Sequence, residues 1–321
     1  MNLNFNLMRN FLLYIISATF VLSGCEKVIY LEVDAQVDKL VVNTIMAPGE
    51  YASSRVTLSA DPLALSFDGL GVTDATVTIT RNGNTSFVLD NYGDGAYGLE
   101  PEASMIEPGD ALTMTVTAPG RDPVEASTNI PNLVPITSAK ILDTTYREYS
   151  YSAVDPDGNI IIIDTIIPYY QIEIIFTDPE ETNHYGLTIL YQDALFTVTA
   201  CFTTDNPIFG LDNSWVSSSI EEGGEVTICD EIRFPDYANN GEEIRIVLDV
   251  FAIETMFATE PKFVCQLSNL NEDYYTYFSS SSLQQANNGD PFSEPVVVYS
   301  NIEGGFGIFA GFTKSIAEIE L

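Results

Sequence analysis

The residues with the most specific chemistry are Leu22-Ser23-Gly24-Cys25, which directly follow an apolar run near the N-terminus. Their order is typical of a bacterial lipobox, in which the cysteine carries the lipid and becomes the first residue of the mature protein. Arg9 supplies a positive n-region, residues 11–22 form an apolar h-region, and the two small residues before the cysteine suit a peptidase groove. The sequence therefore predicts a signal peptide over residues 1–24 and lipidation at Cys25, with palmitate as an expected acyl group.

Two other interpretations of this segment remain open: an ordinary cleaved signal with an incidental cysteine, and a buried N-terminal helix. The run is too short to span a bilayer, because a spanning helix needs roughly 20 apolar residues. If Cys25 is lipidated, the mature chain lies outside the cytoplasm and is held at a membrane.

Three further cysteines, Cys201, Cys229 and Cys265, remain once Cys25 is assigned to lipid. An odd number in an oxidising compartment favours one disulfide and one buried thiol. The first choice for the disulfide is Cys201–Cys229, because both residues flank a long loop-rich insertion. No CxxC motif and no Cys/His metal spacing occurs, so the sequence predicts neither a metal site nor a cofactor.

Catalysis has few candidate residues. His184 is the only histidine, so any Ser-His-Asp or Cys-His site would have to use it. It follows Thr182-Asn183 in a predicted turn, where a solvated histidine is expected, and the chain has no Gly-x-Ser-x-Gly nucleophile elbow. We therefore expect no enzyme activity. A hydrolase that uses two paired carboxylates is the catalytic alternative, since 46 acidic residues offer many pairs.

Aromatic residues are the candidate contacts for a partner. Tyr146, Tyr149 and Tyr151 lie along a probable strand and are expected to face one side together. They would form a contact stripe if that side is open and part of a core if it is covered. Trp215 is alone in a loop-rich insertion, where an exposed indole would be a candidate anchor.

Two loop motifs resemble ligand sites but favour structural roles. Asp155, Asp157 and Asn159 alternate as in a calcium loop, yet glycine occupies the fourth position instead of the sixth, so a polar hairpin tip is favoured. Irregular calcium sites built from loop oxygens remain an alternative. Gly304-Gly305-Phe306-Gly307 is not followed by the lysine of a phosphate-binding loop, and close backbone packing is the better interpretation.

Charge limits the classes of partner. The chain has 46 acidic and 12 basic residues, for a formal net charge of -34 at pH 7. Such a surface repels phosphate backbones, which excludes nucleic acid, and it repels anionic lipid, so membrane contact must come from acyl chains. Solubility or a salty habitat explains the charge, and attraction of a cationic partner is the alternative.

The pattern beyond residue 25 predicts an all-β protein, because β-branched and aromatic residues alternate with polar ones between Gly, Asn, Asp and Pro. About seven short strands predict an N-terminal immunoglobulin-like β-sandwich over residues 25–131. Two prolines within residues 130–135 indicate a linker, after which residues 132–321 form a larger β-rich domain. A helix is predicted over residues 272–286, with an N-cap and acidic residues at its start.

Several segments together are distinctive, and they are listed here: Pro291 to Val297, Ser300 to Gly311, Lys39 to Val42, Gly95-Ala96-Tyr97, Ile130-Pro131, Phe234-Pro235-Asp236 with Gly241, and Asp273-Tyr274-Tyr275. Over essentially the whole mature chain they resemble the domain-of-unknown-function 4249 family of Bacteroidota lipoproteins. The Asp155–Asn159 insertion and the cysteines depart from that pattern. The resemblance implies an outer-membrane lipoprotein, often considered together with TonB-dependent receptors, and implies no activity.

These observations predict a lipid-anchored protein of the outer membrane, on its periplasmic side or at the cell surface, that binds a partner and does not catalyse a reaction. A TonB-dependent receptor is the partner that the resemblance implies. A glycan-binding adhesin or capture module is the alternative function.

Overall fold

The computed structural model describes residues 38–60, 69–156, 158–194, 196–209, 219–222, 225–236, 240–251, 261–287 and 296–321. Cys25, the predicted signal peptide and Trp215 lie outside the described residues. The described residues belong to one unit, Asp38–Leu321. No helix among them is both long enough and apolar enough to cross a membrane.

Short strands dominate the N-terminal part, as the alternating pattern predicts. Along one of them, Leu112, Met114 and Val116 are buried while their neighbours are more exposed, which is the two-residue period of a strand with one covered face. In chain order the elements are β1 (Leu40–Met46), β2 (Ala52–Leu58), β3 (Thr76–Arg81), β4 (Thr85–Val88), β5 (Asp90–Gly93), β6 (Ala96–Leu99), the one-turn helix α1 (Pro101–Ser104), β7 (Ala111–Thr117) and β8 (Val124–Asn129). Asn82 and Gly83 both have positive φ and make the tight turn between β3 and β4, as an Asn-Gly pair between two strands favours.

The C-terminal part has longer strands and one long helix among the described residues. The helix begins at Glu272, directly after the predicted N-cap. The elements are β9 (Ile136–Val154), β10 (Ile160–Thr177), β11 (His184–Gln192), β12 (Thr197–Thr199), β13 (Cys201–Thr203), a 3-10 turn (Pro207–Phe209), β14 (Ser219–Glu222), β15 (Glu225–Ile228), β16 (Ile232–Pro235), β17 (Glu243–Phe251), β18 (Lys262–Leu270), α2 (Glu272–Asn287) and β19 (Phe306–Glu320).

Three sheets enclose two hydrophobic cores. The first sheet has the order β12-β11-β18-β19-β1-β2-β6-β5, with β16 also paired to β11; the second is β14-β15-β13-β17-β10-β9 and the third is β4-β3-β7-β8. One core lies between the third sheet and the β1-β2-β6 part of the first, and the other lies between β10-β17 and β11-β18. The all-β prediction is confirmed.

The last strand belongs to both cores. β1 pairs in parallel with the start of β19, from Val41–Phe306 to Met46–Gly311, and β18 pairs with the rest of it. Phe309 and Ile302 are buried in the first core, whereas Ile319 is buried in the second. A boundary at residues 131/132 therefore separates the two cores along most of the chain but cuts through a continuous sheet.

Glycines allow β19 to approach its neighbours closely. A Cβ at Gly307 would overlap the Val42 carbonyl oxygen, and one at Gly305 would lie 2.5 Å from the Leu40 carbonyl oxygen. Gly307 also has a φ of +111°, which favours glycine. The glycine run thus has the packing role that the sequence favours.

Candidate functional site: an apolar ribbon and a polar cleft

β9 and β10 extend beyond their sheet as a two-stranded ribbon. Their antiparallel pairing runs without a register shift from Val154–Ile160 to Asp143–Gln171. β17, the other neighbour of β10, pairs with it only from Tyr170 onward. Among the described residues, therefore, β10 before Tyr170 and all of β9 leave an outer edge without a strand partner.

A proline lies in β10 just before the residues that β17 pairs. Pro168 lies in β10, opposite Tyr146, and proline has no N–H with which to continue a ladder. Proline in a strand is therefore confined to places where one edge is unpaired. The register puts this one two residues before the first β10–β17 pair, Tyr170–Val250.

One face of the ribbon is apolar and exposed. Tyr146 is 72% exposed, Val154 71%, Ile160 77%, Ile162 73% and Ile166 65%. The register pairs Val154 with Ile160, and side chains alternate between faces, so all five positions lie on one side. We call this set the apolar face. The same side also carries Glu148, Ser150, Ser152 and Asp164 between them. Five large apolar residues exposed on one side are uncommon on a monomer in water and indicate a contact site.

The opposite face is held at the base of the ribbon. Ile167 is 2% exposed there. The Arg147 guanidinium lies 4.3 Å from the Tyr169 ring centre and 3.0 Å from an Asp249 carboxylate oxygen, and Tyr169 stacks on Phe251. The ribbon is thus anchored through one side and leaves the other open.

The tyrosine stripe stays a prediction, because the side chains of Tyr149 and Tyr151 lie outside what the structure describes. The side chain of Tyr146 is described. Tyr146 pairs with Pro168 and lies on the same side of the ribbon as the exposed isoleucines.

The ribbon ends in a polar turn. The Asn159 amide donates to the Asp155 carboxylate at 2.8 Å, and the Gly158 amide donates to the Asp155 carbonyl at 2.9 Å. This is the hairpin tip that the sequence favours. Within the described ranges, no group of three His, Cys, Asp or Glu side chains is placed to hold a metal ion.

A second feature is a polar cleft of about 660 Å³ where the linker after β8 meets β11, β18 and the start of α2. Its rim includes the exposed side chains of Asn129, Asn132, Glu181, Thr182 and Glu272. Its floor is made of buried residues, namely Ile130, Asn183, His184, Asn269, Leu270 and Asn271.

Asn271 fixes one wall of the cleft. Its side-chain oxygen accepts from the Tyr274 amide at 3.0 Å, which is the hydrogen bond of a helix N-cap. Its side-chain nitrogen donates to the Thr128 hydroxyl at 2.5 Å and to the Asn129 carbonyl at 3.3 Å. The start of α2 is thereby tied to the end of β8.

Asn183 fixes the facing wall. Its amide donates to the buried Asp236 carboxylate at 2.7 Å, and the Asp236 amide donates back to the Asn183 carbonyl at 3.2 Å. The Asn183 side-chain nitrogen donates to the Glu181 carbonyl at 2.5 Å. These bonds hold the Asn183 side chain at the cleft floor.

His184 is buried instead of solvated, contrary to the sequence expectation. It is the first residue of β11, is 9% exposed and stacks on Tyr275 with ring centres 4.3 Å apart. Burial lowers the pKa of His184, and the negative charges of Asp236 and Glu272 offset part of that shift. The turn motif could not indicate this, because the covering ring comes from α2.

The structure joins Cys201 and Cys229, the pair that the sequence put first, and Cys265 is a buried free thiol. Burial raises the pKa of Cys265 to about 12, so the thiol is unreactive at neutral pH. The disulfide connects β13 to the residues between β15 and β16, and Cys201 pairs with Phe251 of β17 near the base of the ribbon.

Comparison with known proteins gives a family and little else. A family model described as "Domain of unknown function (DUF4249)" matches residues 26–316. No match to a curated protein was found. A crystal structure of a DUF4785 family protein from Legionella pneumophila is 11% identical, with a TM-score of 0.21, over 71% of this chain and 52% of that one. The chain spans about half the length of that structure, and a similarity this low indicates nothing about function.

Proposed function

The chain belongs to the family described as domain of unknown function DUF4249, and on that premise we propose that it is a lipid-anchored outer-membrane binding protein that catalyses no reaction. The observation that carries the proposal is the apolar face of the β9–β10 ribbon. In this view, acyl chains on Cys25 hold the protein at the membrane and the ribbon docks onto a protein partner.

The apolar face has enough surface to drive association. Burying a large aliphatic or aromatic side chain contributes roughly 1.5–3 kcal/mol, and five such side chains lie on one side of the ribbon. The unpaired outer edges add backbone donors and acceptors that a partner strand can satisfy. Both features favour a partner that covers the ribbon with apolar side chains and an extended strand.

Charge favours a protein partner over a lipid surface. The exposed carboxylates of Glu148 and Asp164 lie on the same side as the apolar face, and Asp155 lies at the tip. An anionic bilayer would repel these groups, whereas a protein with basic residues beside an apolar patch complements them. A TonB-dependent receptor is the partner class that we propose, since the family resemblance suggests it.

The anchor confines the search for that partner to the membrane. Each buried methylene of an acyl chain contributes about 0.8 kcal/mol, so more than one chain makes the attachment durable. A tethered protein meets other proteins of the same membrane at a raised effective concentration. A modest contact area on the ribbon is then enough for a stable complex.

Purification from native membranes tests this proposal. We expect a large β-barrel protein to copurify with the tagged full chain, and recovery to fall at least tenfold for Ile162→Asp/Ile166→Asp. Val297→Asp is the matched control, because Val297 is 87% exposed but lies outside the ribbon. Cys25→Ala should abolish both acyl labelling and membrane partitioning.

Three outcomes would contradict the proposal. Equal recovery of the barrel with the ribbon variant would exclude the apolar face as the docking site, provided that circular dichroism shows that the variant is folded. A clean monomer after gentle detergent extraction would exclude a stable partner. Unchanged membrane partitioning of Cys25→Ala would contradict the proposed lipid anchor at Cys25.

A further inference from the structure

The two strands of the ribbon differ in polarity on the side that carries the apolar face. Across the middle of the ribbon the register makes these pairs: Ser152 with Ile162, Ser150 with Asp164 and Glu148 with Ile166. All six residues are exposed. In this part of the ribbon, the apolar side chains on that side therefore belong to β10 and the β9 side chains are polar.

β9 has the composition of a strand that ends a sheet. Arg147 and Glu148 place two charges in succession on it, and Ser150 and Ser152 follow. Natural proteins use charged residues on edge strands to discourage pairing with a further strand. The outer edge of β9 is therefore protected against strand addition.

The outer edge of β10 lacks this protection. Ile160–Ile163 is an uncharged run of β-branched residues, and Asp164 is the first charge that follows it. Among the described residues, β17 pairs with β10 only from Tyr170 onward, so residues 160–167 have one edge without a strand. An apolar edge of this kind readily accepts another strand.

We propose that the protein partner adds one extended strand to the outer edge of β10 along residues 160–167, in line with β17 and antiparallel to β10. This inference rests on the function proposed above and specifies which edge the partner uses. Residues 160–167 span about 26 Å at roughly 3.3 Å per residue. Backbone hydrogen bonds supply the affinity of such pairing, and side chains at alternate positions supply its specificity.

The exposed side chains of β10 set the sequence pattern of the added strand. Residues directly opposite each other on neighbouring strands are favourable when both are apolar or when their charges are opposite. Ile160, Ile162 and Ile166 therefore favour apolar residues, and Asp164 favours Lys or Arg. The exposed Asp164 carboxylate accepts one hydrogen bond from the Ser150 hydroxyl at 2.6 Å, and a carboxylate can accept several. In the antiparallel direction the pattern is apolar, any, basic, any, apolar, any, apolar.

The same side chains disfavour a second copy of this chain as the partner. Two copies of β10 that pair edge to edge about a twofold axis would be antiparallel, with even-numbered residues opposite even-numbered ones. Any such register that places Asp164 opposite residues 160–167 sets it against an isoleucine or against its own copy. Neither pair is favourable, and the second is repulsive.

A defined peptide and the full chain in detergent test which strand is used. The probe is fluorescently labelled Thr-Val-Thr-Lys-Thr-Val-Thr-Val-Thr, which has the antiparallel pattern, and fluorescence polarisation measures its Kd. Ile162→Lys should weaken binding at least tenfold. Ser152→Lys, directly opposite on β9, is the matched control and should change binding less than twofold. Both positions are exposed, so both variants should keep the fold, which circular dichroism checks.

A charge exchange separates the contact at Asp164 from the general negative charge of the chain. Asp164→Lys should weaken binding of the lysine peptide at least tenfold. The same variant should bind a peptide with Glu in place of Lys within threefold of the Kd of the original pair. A chain that attracts the peptide only through its net charge would not bind the glutamate peptide.

Hydrogen exchange and N-methylated peptides test the backbone pairing. The peptide should slow exchange of amides in residues 160–167 and leave those of residues 143–154 unchanged. N-methylation of alternate peptide residues should abolish binding when it blocks the edge that pairs with β10. N-methylation of the other alternate set should be tolerated, because that edge of an added strand remains free.

Four results would overturn the proposal. Equal weakening by Ile162→Lys and Ser152→Lys would assign binding to the whole face, and weakening by Ser152→Lys alone would assign it to β9. Complete protection of the amides of residues 160–167 in the free chain would mean that another segment of the chain covers the edge. No binding of the peptide at millimolar concentration would exclude the pattern. Barrel recovery that Ile162→Asp/Ile166→Asp still abolishes would, beside any of these, keep the docking function and remove only the added strand.

Discussion

The ribbon and the cleft differ in what holds their residues in place. On the apolar face, Ile160, Ile162 and Ile166 contact solvent and depend on the pairing of two strands. In the cleft, each asparagine on the floor makes hydrogen bonds that tie distant strands together. The apolar face therefore has the exposure expected of a surface that a partner covers. The residues of the cleft floor already make the hydrogen bonds that hold the fold together.

This difference predicts that substitutions on the apolar face change partner binding without changing stability, whereas substitutions on the cleft floor change stability. Substitution of an exposed apolar residue removes contacts that only a partner would make. Substitution of a buried asparagine removes bonds that the free protein already makes and leaves polar groups unpaired. Substitutions in the two regions should therefore differ clearly in their effect on the unfolding free energy.

The largest expected effect compares two isoleucines of the same strand. Ile167→Ala should lower the unfolding free energy by about 3 kcal/mol, because this buried side chain would leave a cavity. Ile162→Ala should change it by less than about 0.5 kcal/mol, since the residue is exposed. Urea denaturation followed by circular dichroism measures both. Similar losses for the two variants would mean that the apolar face is covered in the free protein.

An intermediate effect is expected at the helix start. Asn271→Ala should cost about 2 kcal/mol, since it removes the N-cap bond and the donations to Thr128 and Asn129. Asn129→Ala, at an exposed side chain on the rim of the same cleft, serves as the control and should cost less than about 0.5 kcal/mol. Equal costs for the two variants would show that the network does not hold the cleft together.

The smallest effect concerns pH. Burial lowers the pKa of His184 in the folded state, so the unfolded chain takes up a proton more readily. The stability that neutral His184 contributes is therefore complete above the unfolded pKa of about 6.5 and declines as pH falls through the folded pKa. We expect the stability difference between the wild type and His184→Gln to shrink from pH 7.5 to pH 5. A constant difference over that interval would mean that His184 titrates as in the unfolded chain.

Local patterns predicted the elements well. The alternation in β7, the Asn82-Gly83 turn and the N-cap of α2 all follow from a few adjacent residues and are present in the structure. The all-β class follows from the same alternation repeated along the chain. Interactions within a few residues are those that a single sequence expresses most clearly.

The two candidate sites depend on contacts that no local pattern contains. Ile160–Ile163 is an apolar run, and such a run favours a buried strand, yet among the described residues β17 pairs with β10 only from Tyr170 onward. The cleft joins Asn183, Asn269 and the linker residue Asn132, which are far apart in the sequence. The parallel pairing of β1 with β19 likewise joins two segments that are far apart in the sequence.

The shared strand has a consequence for how the protein is made. Synthesis delivers residues from the N-terminus, so β19 is made after the other described strands, although β1 is one of its two neighbours. Until then one edge of β1 is unpaired and the first core lacks Phe309, so the nascent chain exposes surface that is prone to aggregation. Loss of β19 through a premature stop codon would consequently destabilise the N-terminal core as well as the C-terminal one.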